Sequence, residues 1–224
     1  MGRTAVDKDA TSVRVTCGEG VTLDGELIVP DKARGVVIFA HGSGSSRHSP
    51  RNQFVARVLR DAGLGTLLFD LLTKEEDTVY ETRFDINLLS TRLAAATAWF
   101  CQQPRVQGLD IGYFGASTGA AAALVASARL GHVVRAVVSR GGRPDLVGRA
   151  LARVTAPTLL IVGGLDDVVI DLNRRAYEQL RCAKDLVIVP GATHLFEEPG
   201  MLEEVARLAA EWFARRLGPR ASTT

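Results

Sequence analysis

Ser117 stands between two glycines in the stretch YFGASTGAAA, residues 113–122, where an apolar run gives way to a run of alanines. Gly115, Ser117 and Gly119 fit the G-x-S-x-G corner, at which a chain leaves a strand and enters a helix within about one residue. Such a corner strains the serine backbone and lifts its hydroxyl clear of the sheet. Side chains at 115 or 119 would collide with neighbouring backbone. The amide dipoles of the following helix favour negative charge near the serine oxygen. A serine hydroxyl alone is a weak nucleophile; it needs a general base, and the base needs an orienting acid. Both follow in the chain. The run PTLLIV ends in GGLDD, which carries Asp166 and Asp167, and the run LVIVP ends in GATH, which carries His194. The order is Ser, Asp, His, and each interval leaves room for a strand and a helix. Adjacent carboxylates point in different directions, so only one of the two aspartates can meet His194.

Acyl transfer also needs donors for the oxyanion. The N–H of Thr118, next after the serine, is one. The N–H of Ser43 in AHGSGSS, residues 40–46, is the other, among glycines that allow close approach. Arginines border the same region. Arg47 and Arg51 follow AHGSGSS, and Arg140 and Arg143 stand in SRGGRPD. A guanidinium matches carboxylate or phosphate bidentately, so Arg47 and Arg140 are candidate substrate-binding residues for an anionic group. Arg143 has Asp145 as an alternative partner, and a solvated surface position is the competing reading for each arginine. His132, in ARLGHVV, reads as a turn residue, and the acidic triplet at 75–77 as a solvated loop face. HGSGSS lacks the Lys-Ser/Thr of a phosphate loop, and no G-x-G-x-x-G opens a helix after the first parallel strand. Nucleotide binding is therefore not expected.

The frame for these residues is an alternation of two kinds of segment. Runs rich in Val, Ile and Leu begin at Val36, Gly65, Asp110, Val133, Pro157 and Asp185. Helix-like stretches lie between and after them, at 53–62, 84–102, 118–130, 145–154, 173–180 and 201–217. Continuous apolar runs read as strands buried on both faces, and their alternation with helices gives βαβ units with helices on both sides. The segment SVRVTCGEGVTLDGELIVP alternates and contains a Gly-Glu-Gly turn, which predicts antiparallel strands at one edge. The expected fold is α/β: one mostly parallel sheet of about eight strands, in a single domain over 1–224, with the ends 1–11 and 218–224 frayed. Residues 71–83 form the longest expected loop and show no clear period.

Composition limits the alternatives. The chain has 224 residues, 46% hydrophobic and 23% charged, with a net charge of +2. That is enough for one sizeable core. It shows no basic run of the kind that binds nucleic acid, no apolar stretch long enough for a membrane helix and no apolar leader. Cys17, Cys101 and Cys182 match neither a disulfide framework nor a zinc motif, so a reduced, cytoplasmic protein is expected.

Taken together, HGSGSS, GASTG, GGLDD and GATH resemble the α/β-hydrolase superfamily, and within it the small, lid-poor group similar to dienelactone hydrolase, over about 13–217. The resemblance implies a fold without a cap domain, because larger members insert a cap where this chain has the short link 141–156. The site is then open to short or soluble substrates. The family pattern G-x-x-D-x-x-V, from Gly163 to Val169, selects Asp166 over Asp167 as the partner of His194 and leaves Asp167 as a helix N-terminal charge. Dienelactone hydrolases in the strict sense carry cysteine in the elbow, whereas this chain has Ser117, which points to esterase-type chemistry. The expectation is a serine hydrolase of a small-molecule ester or lactone, anionic if the arginines serve it, working through Ser117, His194 and Asp166 without metal or organic cofactor. It is expected as monomer or homodimer. The alternatives are a thioesterase or acyltransferase with the same triad, or a non-catalytic binding protein on the same fold.

Overall fold

The computed structural model describes residues 11–18 and 20–218. The apolar runs form eight strands: β1 (Thr11–Thr16), β2 (Thr22–Ile28), β3 (Gly35–Ala40), β4 (Gly65–Phe69), β5 (Asp110–Ala116), β6 (Val134–Arg140), β7 (Thr158–Gly163) and β8 (Lys184–Val189). They make one sheet in the order β1-β2-β4-β3-β5-β6-β7-β8. The first two strands pair antiparallel, Val13 opposite Gly25 and Val15 opposite Leu23, and β2 pairs antiparallel with β4. All remaining pairs are parallel. Every residue of β3, β4 and β7 is buried, as strands covered on both faces must be.

Among the described residues the α-helices are α1 (Pro50–Asp61), α2 (Lys74–Asp77), α3 (Ile86–Cys101), α4 (Thr118–Leu130), α5 (Asp167–Gln179) and α6 (Met201–Ala214), and all but α2 bury side chains. On one face, Val55 and Leu59 of α1 and Val205 and Phe213 of α6 pack with Val37, Phe39 and Phe114 of the sheet. On the other face, Leu93 and Phe100 of α3 and the alanines of α4 pack with Ile38, Tyr113 and Val137. The small side chains of α4 let it sit close to the sheet, and it is buried from Thr118 to Ser127.

Several boundaries differ from expectation, each for a local reason. Helix α1 starts at Pro50 rather than 53, because Ser49 Oγ accepts the Asn52 N–H at 3.4 Å and proline suits a first turn. Helix α5 starts at Asp167 rather than 173; its opening DVVI is rich in β-branched residues, which hide helical character. The segment expected as a helix at 145–154 is a 3₁₀ segment, Pro144–Arg153, broken at Gly148 with φ 57°. The aperiodic stretch 71–83 contains α2, closed by a capping box: Thr73 Oγ1 accepts the Glu76 N–H at 3.2 Å, and Glu76 accepts the Thr73 N–H at 2.9 Å. Glu76 also holds Arg92 of α3 at 2.8 Å, so this part of the acidic triplet is a clamp rather than a solvated face. Helix α6 ends at Ala214, short of 217. Of the ends expected to fray, 1–10 and 219–224 lie outside the described residues. Thr11 already opens β1, and the Gly218 N–H donates to Asp110 Oδ2 at 3.0 Å.

Candidate active site

The parallel strands bring five loops to their common carboxyl edge, where α/β folds collect functional groups. Ser117 follows β5, Arg140 ends β6, Asp166 follows β7, His194 follows β8, and Ser43 follows β3.

Ser117 has φ 51° and ψ −120°, a conformation that costs a non-glycine residue roughly 1–3 kcal/mol. Its N–H donates to Arg140 O at 3.1 Å, and its carbonyl accepts the Arg143 N–H at 3.2 Å. Both glycines of the corner are required sterically. A Cβ on Gly115 would meet Ala120 N at 2.8 Å, and one on Gly119 would run into the carbonyl oxygens of Ala40 and His41.

Asp166 is the N-cap of α5, and its Oδ2 accepts the His194 Nδ1–H at 2.6 Å. That bond fixes the tautomer and leaves Nε2 as the basic nitrogen. Asp167 is instead the first residue of α5, at the positive end of the helix. Gly141 backs the imidazole: a Cβ there would lie 3.3 Å from His194 Cε1. The adjoining Gly142 is held by Asn173, a fully buried side chain whose Nδ2 donates to Gly142 O at 3.0 Å and Val169 O at 2.8 Å. The sequence reading missed this tie between α5 and the loop after β6; a polar residue on the inward side of α5 was the available signal. Among the described residues no hydrogen bond joins Ser117 Oγ to His194. Catalytic hydrogen bonds are often long before substrate arrives.

The oxyanion loop departs from expectation. Thr118 opens α4, and its N–H is one of the donors a helix start leaves without an intrahelical partner. The Ser43 N–H, expected to be free, donates to Thr118 Oγ1 at 2.9 Å. His41 pins the same loop: its Nδ1–H donates to Gly42 O at 3.0 Å and its Nε2 accepts the Leu71 N–H at 3.0 Å. Burial pushes its pKa below the ordinary 6.5, so it is a neutral structural histidine.

The arginines separate into two groups. Arg47 is committed to carboxylates: its N–H reaches Asp70 Oδ1 at 2.8 Å, its guanidinium pairs with Asp70 Oδ2, and Asp24 lies at 3.8 Å. This corrects its expected role as a free anchor for substrate. Arg51 pairs with Glu197 at 2.6 Å, and Arg143 grips Asp145 with two bonds of 2.8 and 2.7 Å. Arg140 is different. It is only 7% exposed, its Nη1 is buried without a hydrogen-bond partner, and among the described residues no carboxylate pairs with it. Its guanidinium carbon lies 6.0 Å from the centre of the Phe114 ring. Burial, and then the charge of Arg51, bring its pKa down to about 10, so it remains a cation at neutral pH.

Exposed apolar side chains flank the acid and base: Leu165 and Val168 beside Asp166, and Leu195 beside His194. Among the described residues no group of three metal-ligating side chains could hold an ion, and no helix is long and apolar enough to cross a membrane.

The model of the dienelactone hydrolase family matches residues 23–217. A crystal structure of dienelactone hydrolase from Anabaena variabilis is 58% identical and superposes with a TM-score of 0.91, covering 93% of this chain and 98% of that one. A serine hydrolase described as having no lid, from Xanthomonas campestris, shares the fold at 22% identity, with a TM-score of 0.75 over 94% of this chain and 96% of that one. Two curated relatives from Mycobacterium tuberculosis, strains CDC 1551 / Oshkosh and H37Rv, are 60% identical over 208 residues, 92% of this chain. Both are provisionally named phosphoribosyl transferases, and this chain spans 47% of their length.

Proposed function

This chain belongs to the dienelactone hydrolase family, and from that premise we propose that it is a serine hydrolase of small acyl substrates, carboxylic esters or lactones. The observation that carries the reading is the 2.6 Å bond from His194 Nδ1 to Asp166, set beside a serine held in the strained elbow conformation. In this mechanism Ser117 Oγ attacks the carbonyl carbon while His194 Nε2 takes its proton. Asp166 keeps the imidazole in the productive tautomer and stabilises its charge. His194 then passes the proton to the leaving group, and a water activated by the same nitrogen cleaves the acyl-enzyme. Side chains and water suffice for every step.

The link 141–157 holds only the broken 3₁₀ segment, which leaves room for substrate to approach from solvent. A buried guanidinium without an acidic partner among the described residues supports an anionic substrate, because Arg140 would gain from a carboxylate or phosphate what those residues do not give it. A thioesterase or acyltransferase would use the same machinery. The transferase name of the M. tuberculosis relatives describes proteins about twice as long, and nothing in the residues gathered here favours that chemistry over acyl transfer.

Treatment with a fluorophosphonate probe, followed by peptide mass spectrometry, tests the reading. The adduct should lie on Ser117, Ser117→Ala should lose it, and a short p-nitrophenyl ester should be hydrolysed only by the unaltered protein. A folded sample that neither labels nor turns over the ester would leave a non-catalytic binding protein as the better account.

A further inference from the structure

We propose that the second oxyanion donor is the hydroxyl of Thr118 rather than the amide of Ser43. The inference rests on the acyl-transfer reading above and assigns a specific atom within it.

Ser43 has one amide hydrogen, and the structure commits it to Thr118 Oγ1 at 2.9 Å. A hydroxyl that accepts still carries its own hydrogen. Among the described residues no acceptor takes that hydrogen, although Thr118 is 2% exposed. A buried donor left unpaired is unfavourable, and this one sits on the residue next to the nucleophile. Thr118 also owns the first amide of α4, another donor without an intrahelical partner. The two donors are on adjacent carbon-bound positions of one residue, so both can converge on a single oxygen.

The Ser43 amide then has two effects on the hydroxyl. It selects the side-chain rotamer, which threonine in a helix otherwise divides between two wells. It also polarises the O–H, since a hydroxyl that accepts a hydrogen bond becomes a stronger donor. In the tetrahedral step the Ser117 Oγ–carbon bond forms, the carbonyl π pair moves onto oxygen, and the serine proton goes to His194 Nε2. The oxyanion accepts hydrogen bonds from Thr118 N–H and Thr118 Oγ–H, and neither proton is transferred.

The competing account keeps Ser43 N–H as the donor and makes the Thr118 hydroxyl a plug that must move aside. The two accounts predict opposite results for removing the hydroxyl. Thr118→Val keeps the shape and deletes the O–H. On a p-nitrophenyl ester it should lose roughly 10²–10³ in kcat with KM little changed, the scale for one oxyanion donor. Thr118→Ser should recover most of that loss. A trifluoromethyl ketone, which forms a hemiketal oxyanion on Ser117, should weaken across Ser and Val variants in proportion to kcat/KM. If Thr118→Val does not fold, the serine and alanine variants give the same comparison. A valine or alanine variant with kcat at or above the unaltered protein overturns the proposal. Loss of fluorophosphonate labelling at Ser117 in the unaltered protein would bring down the acyl-transfer reading and this inference together, whereas labelling with undiminished turnover in Thr118→Val brings down only this one.

Discussion

Replacing Arg140 by methionine should stabilise the fold and impair the enzyme on charged substrates. Burial, and then the charge of Arg51, bring the Arg140 pKa down to about 10, below the ordinary arginine value, so the folded site disfavours the cation. At ~1.4 kcal/mol per pH unit, a depression of that order puts the penalty at about 3–4 kcal/mol at neutral pH. Methionine fills similar space but loses the stacking on Phe114, worth about 0.5–2 kcal/mol. The net gain is roughly 1–3 kcal/mol, and at this chain length each kcal/mol moves Tm by about 2–4 °C. The variant should therefore melt roughly 2–12 °C higher at pH 7. The pKa of this base is depressed on folding, so the penalty applies at all pH values below about 10 and fades as pH rises from there toward the ordinary arginine value. The gap between variant and parent should narrow over that range. In turnover, a shielded charge-assisted hydrogen bond is worth about 1.5–3 kcal/mol, or roughly 10–150-fold in kcat/KM. An open site favours the lower end. The assay compares an ester bearing a carboxylate a few bonds from the carbonyl with its neutral isostere, alongside thermal melts. A variant that melts lower and loses both esters equally would refute the reasoning and make Arg140 a support for the elbow, whose Ser117 N–H is bonded to the Arg140 carbonyl.

Two further outcomes follow from the site. Asp166→Asn should lower kcat by about 10⁴, because an asparagine favours the wrong imidazole tautomer, while Asp167→Asn should change it little; steady-state kinetics on one ester separates them, and the reverse ranking would place the acid one residue later. His41 is held neutral in the fold below its ordinary 6.5, so the unfolded chain takes up a proton that the folded one refuses. Its contribution is complete above about pH 6.5 and is lost progressively as pH falls below it. Urea midpoints taken from about pH 7.5 down to 5 should decline, and His41→Gln, which removes the titrating group, should flatten that decline.

The sheet, and the positions of Ser117, Asp166 and His194 at its carboxyl edge, were legible because each carries a local mark. Strands buried on both faces read as unbroken apolar runs, and the elbow needs glycine at two positions where backbone fills the space of a Cβ. What escaped were properties that depend on partners distant in the chain. Arg47 and Arg140 look alike in sequence, yet one meets Asp70 and Asp24 and the other meets no acid among the described residues. No spacing rule contains that difference. Ser43 was correctly placed after β3, but its amide hydrogen goes to a side chain 75 residues away. The start of α5 was missed because its first turn is made of residues that prefer strands, and packing of Val169 and Ile170 against Val162 overrides that preference. The acidic stretch at 75–77 was misread because capping and the clamp to Arg92 depend on register within a helix of only four residues.

The two backbone bonds of Ser117 bear on how the proposed nucleophile moves. A turn amide ordinarily trades its hydrogen with water through small local openings. This one continues the ladder between β5 and β6, donating to Arg140 O while its carbonyl receives the Arg143 N–H. Its exchange is then expected to need an opening between β5 and β6, testable by amide hydrogen exchange at Ser117. The same two bonds hold the backbone at φ 51°, so the strain is built into the turn. Motion that admits substrate must be drawn from elsewhere on the carboxyl edge. The connection from β4 to α3 is suited to it, since side-chain clamps at Glu76–Arg92 and Asp77–Arg83 anchor it rather than a strand ladder.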